Sequence, residues 1–243
     1  MARIDDLLLG ALSSVLPKPP ETSPQAVKKN WNQRLSSALA LAIAEELRQR
    51  GMAGARPSGP GEVGASGAER RLSGGIGAKK VDVTWATEES GLLFGGSVKT
   101  IMWRDGNSGA FQKNLTNRRG DLLVEAVSLH RRFPYAVLAG FLFMDAEAAS
   151  DHTARRRSTF ENAFPRLKLF TRRPDPAGRE EQFERLYLLL VDTNSFQPSI
   201  RAWEVHDPGA EVSLEAAFDD IVTLLGERNF DFYDGASGAI ARA

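Results

Sequence analysis

The chain has 243 residues, 42% of them apolar and 26% charged, with 31 Lys and Arg balancing 31 Asp and Glu. This composition is that of an ordinary globular protein with a core that needs no staples. It contains no cysteine, which excludes disulfides, thiolate zinc sites and cysteine nucleophiles, and its zero formal charge argues at first against a nucleic-acid partner.

Three further exclusions follow. His130, His152 and His206 are scattered without metal-ligand spacing, so a histidine zinc site is not expected. The apolar stretch Leu7–Leu16 follows Asp5 and Asp6 instead of a basic leader, unlike a signal peptide. No apolar run approaches the roughly 20 residues of a membrane helix. These features predict a cytoplasmic protein without a membrane partner.

The charge is unevenly placed. Residues 95–175 carry 14 Lys and Arg against 8 Asp and Glu, a net of +6, while residues 176–243 carry 5 against 13, a net of −8. A phosphate-binding surface depends on local charge, so a basic middle keeps a nucleic-acid partner open. The bland alternative is a solvated acidic face and an ordinary middle.

In chain order, residues 23–50 predict an amphipathic helix. Ser23 stands as its cap, Pro24 as its first residue, Leu35, Leu39, Ala42, Ile43, Glu46 and Leu47 follow helical spacing, and Gly51 is the stop. Residues 51–68 are rich in Gly, Ala, Pro and Ser and predict a mobile loop. VDVTW and LLFGGSVKTIMW, separated by the polar turn TEESG, predict an antiparallel hairpin, with Gly95 and Gly96 marking a bulge or a close backbone approach. Residues 111–133 predict a helix, or two short ones meeting at Gly120. YAVLAGFLFMD and ERLYLLLVDT predict buried strands, residues 155–170 a helix, and residues 213–228 a last amphipathic helix within an acidic C-terminal segment, 205–243. There is no internal repeat. The whole predicts a single α/β domain over residues 1–243, with a mixed central sheet flanked by helices.

The hairpin carries the chemistry. Phosphodiester hydrolysis needs an activated water and a stabilised phosphate, and Mg²⁺ held by one or two carboxylates serves both needs. Asp82 lies in the first strand and Lys99 in the second, and Ser97 and Lys99, two apart, share one face. With the turn centred near Glu89, Asp82 falls opposite Ser97.

The stretch KKVDV…GGSVKT resembles the central hairpin of the PD-(D/E)XK nuclease superfamily, which includes type II restriction endonucleases. The resemblance covers roughly residues 30–145. It implies a restriction-endonuclease-like fold, Mg²⁺ as cofactor, double-stranded DNA as substrate, a role in restriction or DNA defence, and a homodimer. Asp82 matches the family's metal-binding Asp and Lys99 its lysine. The second acidic position falls on Ser97, a departure. Some members with Ser-x-Lys recruit an acid from the following helix; here Asp121 and Glu125 are the nearest, with Glu125 favoured as second metal ligand because Asp121 is a plausible cap. The family's first-helix glutamate maps to Glu45 or Glu46, and Glu46 completes the expected catalytic set of Asp82, Ser97 and Lys99.

Other features are weighed against blander readings. Lys113, Asn114, Asn117, Arg118 and Arg119 suit phosphate and base contacts, or a solvated helix start. Arg155–Arg157 and Arg172–Arg173 are candidate phosphate contacts or solvated faces. His130 and the aromatics Trp85, Trp103, Phe111 and Phe133 are expected in the core. Ser97 lacks the Gly-x-Ser-x-Gly elbow of a serine hydrolase, and the glycines of Gly74–Lys80 precede a strand, not the helix a phosphate loop requires. The rival functions are a catalytically inactive DNA-binding module on the same fold, a structural or regulatory protein without nucleic acid, and an RNA nuclease.

Overall fold

Two nearly unbroken apolar runs become neighbouring central strands, β5 (Val137–Asp145) and β6 (Arg185–Asp192). In a computed structural model they lie parallel, with Phe141 level with Tyr187. The structure describes residues 2–58, 70–74, 77–106, 108–194 and 196–243, with the side chains of 70–79 set aside. Most of the expected loop 51–68 therefore lies outside the described residues.

Around these strands stand β3 (Val83–Thr87), β4 (Gly91–Ile101) and β7 (Ser199–Glu204), in the sheet order β3-β4-β5-β6-β7. β4, β5 and β6 are parallel, and the two outer strands run antiparallel to them. This is a mixed five-stranded α/β sheet flanked by helices, as the sequence predicts.

Strand alternation divides the core into two layers. Val137, Ala139, Phe141 and Phe143 join α1 (Arg3–Ser13), α2 (Gln25–Gln49) and α5 (Leu214–Arg228) on one face. Leu138, Leu142 and Met144 join α3 (Gln112–His130) and α4 (Thr159–Leu167) on the other. Both faces of β5 are dry, which is why its sequence reads as a continuous apolar run.

Several boundaries differ from expectation. α2 begins at Gln25 with Pro24 in the capping position and no side-chain cap; Gly51, at φ +91°, ends it as expected. α3 runs unbroken through Gly120. α4 is shorter than 155–170, because Ser158 and Glu161 form a capping box that leaves Arg155–Arg157 outside it. Helix α1, the hairpin of β1 (Arg70–Gly74) and β2 (Gly77–Val81), and β7 are additional elements. Within the acidic segment 205–243 only α5 is helical; short strands β8 (Tyr233–Asp234) and β9 (Ala241–Arg242) follow it.

Candidate active site

Asp82 sits at a break in an otherwise continuous line of strand. Val81 packs in the α3 layer and Val83 in the α2 layer although they are two apart, so the chain turns over between them. The pairing of Val83 with Gly96 brings Asp82 level with Ser97, the register the turn predicts. The bulge lies between Trp85 and Ala86, while Gly95 and Gly96 mark close approaches: a Cβ on Gly95 would stand 2.7 Å from Leu138 Cδ2.

Side chains from this break, from β4 and from α3 then converge. The Asp82 Oδ2 atom accepts the Val98 N–H at 2.7 Å and the Lys99 ammonium at 3.4 Å. Lys99 Nζ also donates to Glu125 Oε2 of α3 at 3.1 Å. Glu125 is 2% exposed, whereas the Asp82 side chain remains 22% exposed and open to solvent. Asp82 Oδ1 has no hydrogen-bond partner among the described residues.

Burial works to lower the Lys99 pKa, but the charges of Glu125 and Asp82 and their hydrogen bonds outweigh it and hold the ammonium above its ordinary value. Lys99 is therefore a fixed cation at neutral pH and has no lone pair with which to take a proton.

Ser97 is 1% exposed, and its buried Oγ has no partner among the described residues. An orphaned buried hydroxyl costs about 1–3 kcal/mol. The two carboxylates bridged by Lys99 are oxygen donors of the kind Mg²⁺ takes, an ion that keeps several waters and needs few protein ligands, and Ser97 shares the strand face of Lys99. No cluster of three or more His, Asp or Glu forms a metal cage among the described residues.

The structure does not bring Glu46 to this cluster. Lys99 points toward α3, whereas α2 covers the opposite face of the sheet. The Glu46 carboxylate is fully buried and is held by Arg3 at 2.8 and 2.9 Å and by Arg50 at 2.6 Å. Arg50 in turn binds Glu215 and Asp219 of α5, so Glu46 belongs to a staple joining α1, α2 and α5. Glu45 pairs with Arg48 at 2.7 Å. Of the two acids on α3, Lys99 reaches Glu125, and Asp121 pairs with Arg118 instead.

The expected nucleic-acid residues divide. Lys113, Asn114 and Arg118 line a cleft of about 360 Å³ at the end of β4, while Asn117 and Arg119 stand outside it. Sequence reasoning missed Lys28, Lys29 and Arg104 on the same cleft. The signal was the lysine pair in a helix start with no acidic residue in its first turn.

Among the other cations, Arg173 is corrected outright as a phosphate contact, because it is buried against Glu184 at 3.3 Å. Arg172 pairs with Glu204 and Arg156 with Asp151, while Arg155 and Arg157 stay exposed. The aromatics pack within the protein: Trp85 meets Tyr233, Trp103 meets Trp31, Phe111 is fully buried and Phe133 lies against the α3 layer. His130 is buried against Glu184. No described helix is long and apolar enough to cross a membrane.

Comparison of the chain with family models, with curated proteins and with solved structures gave no match.

Proposed function

We propose that the chain is a Mg²⁺-dependent endonuclease that hydrolyses phosphodiester bonds of double-stranded DNA, acting as a homodimer in restriction or another DNA defence. One observation carries this reading: Asp82, Lys99 and Glu125 converge from the β2–β3 break, β4 and α3, with an orphaned Ser97 hydroxyl two residues along β4 from Lys99. It supports the resemblance of the hairpin to the PD-(D/E)XK nucleases and supplies from α3 the acid that Ser97 lacks.

In this reading Asp82 and Glu125 would hold the metal, and Ser97 would hydrogen-bond in its shell. Bound Mg²⁺ supplies charge stabilisation of the phosphate and a water of lowered pKa. Lys99 keeps both carboxylates in place and presents its positive charge to the attacking water and the phosphate oxygens. In this role it orients the water and stabilises charge on the phosphate.

A second reading takes the same three residues as a structural ion pair, and one observation favours it: the Lys99 ammonium already neutralises charge on both carboxylates. Plasmid DNA separates the two. The nuclease reading expects nicking or linearisation in Mg²⁺, none in EDTA, and a loss on the order of 10²–10³-fold in Asp82→Ala and Lys99→Ala, the scale for removing one preorganised charged group. Equal cleavage by all three proteins, or cleavage by none, contradicts it.

A further inference from the structure

The cleft at the end of β4 has a lining that the Asp82–Lys99–Glu125 site does not explain. Lys28 and Lys29 come from the first turns of α2, Arg104 from the loop after β4, and Lys113 and Arg118 from α3. Five cations thus line one concavity with, among its described residues, one carboxylate, Asp105; Arg104 also pairs with Glu147 at 3.0 Å and Arg118 with Asp121 at 3.1 Å, which leaves the lysines of α2 as its least engaged cations. The Asp105 carboxylate is already held by Lys113 at 3.1 Å and by Ser108, and Lys113 first, then the Ser108 amide, keeps its pKa below the ordinary aspartate value. Lys29 is exposed and has no ion-pair partner among the described residues, and Lys28 has only a loose one, Glu21 at 3.6 Å.

The helix starts add to this charge. The N-terminal ends of α2 and α3 both border the cleft, and neither carries a side-chain cap or an acidic residue in its first turn. α1, α4 and α5 each have an acidic residue there. The two bare helix ends contribute partial positive charge and amide donors to the same concavity. The cleft also stands outside the carboxyl end of a parallel strand, where open α/β sheets bind ligands.

We propose that this cleft is a subsite for the DNA backbone, holding phosphates of the strand next to the scissile one; the proposal rests on the nuclease reading. Thr100, Ile101 and Met102 line the cleft directly after Lys99. At about 3.3 Å per strand residue the cleft begins within about 10 Å of the Lys99 position. A DNA strand rises about 3.4 Å per nucleotide, so the phosphate seated there lies within about three nucleotides of the cut. Lys28 and Lys29 then act as phosphate contacts that fix the register of the strand without reading its sequence.

The test is duplex affinity as a function of salt, measured by fluorescence anisotropy with the full chain in Ca²⁺, together with plasmid cleavage in Mg²⁺. Lys28→Gln/Lys29→Gln should weaken binding and make the log–log salt slope shallower by about one to two, since each lost contact removes about 0.9. Asp105→Asn should move affinity the other way, which a general folding defect does not do. Arg179→Gln/Arg242→Gln, which removes two exposed cations outside the cleft, should leave the slope unchanged. If the wild type cleaves and Lys28→Gln/Lys29→Gln keeps the wild-type slope, the cleft proposal is overturned and the nuclease reading stands. If the slope shifts as stated but nothing is cleaved, the cleft binds duplex phosphates and the nuclease reading fails. No duplex binding even at about 50 mM salt overturns the cleft proposal.

Discussion

Lys99 is the residue on which the site turns, because it is the cation common to an accessible carboxylate and a buried one. Lys99→Met leaves Glu125 buried without that counter-charge, and breaking such a pair costs about 3–5 kcal/mol. Urea unfolding at pH 7 measures it; a loss below about 1 kcal/mol would mark the pair as solvent-screened. The pH dependence has a definite sign. Because the folded-state pKa of Lys99 is raised, its stabilisation is full below the ordinary lysine value of 10.5 and is lost as pH rises through the higher folded value. The stability gap between wild type and Lys99→Met should therefore hold from pH 7 to about 10.5 and close only above it. Strand parity made Asp82 and Lys99 legible in the sequence. Glu125 stayed open against Asp121, because parity says nothing about which turn of a packed helix faces the sheet. Glu46 pointed the wrong way for a related reason: its partner Arg3 lies 43 residues distant, and no local pattern announces that pair.

Among the elements, those with dense apolar patterns were readable and those stabilised by contact were not. β5 and β6 carry their burial in composition, and α2 and α5 carry theirs in spacing. β7 has one fully buried apolar side chain, Ala202, and owes its place to pairing with β6. α1 buries Ile4, Leu8 and Leu12, with Leu7 and Ala11 half-buried beside them, and reads in sequence as a short apolar stretch. A buried hub also escaped notice. Glu184, fully buried, accepts from the Leu138 N–H at 2.8 Å, from His130 at 3.2 Å and from Arg173 at 3.3 Å, with Arg228 of α5 at 3.3 Å. One carboxylate therefore joins β5, α3 and α5. Glu184→Gln keeps an acceptor for Leu138 but leaves two guanidiniums without their charge partner. It should cost about 3–5 kcal/mol in denaturant unfolding, and a change under about 1 kcal/mol would show the hub to be hydrated.

At the level of the molecule, the division of charge seen in the sequence acquires a physical sense. The acidic tail is not simply a solvated face: Glu215 and Asp219 hold Arg50, and Asp220 holds Arg185. The cations that line the cleft at the end of β4 come from α2, a loop and α3, which a sequence average over the basic middle only half captures. The central claim is that a helix on one face of the sheet returns to the hairpin the acid that Ser97 removed. The initial rate of Mg²⁺-dependent duplex cleavage by Glu125→Gln, set against wild type at matched thermal stability, tests it most directly. The account predicts a loss on the order of 10²–10³-fold; cleavage at the wild-type rate would contradict it and leave the Lys99–Glu125 pair a structural one.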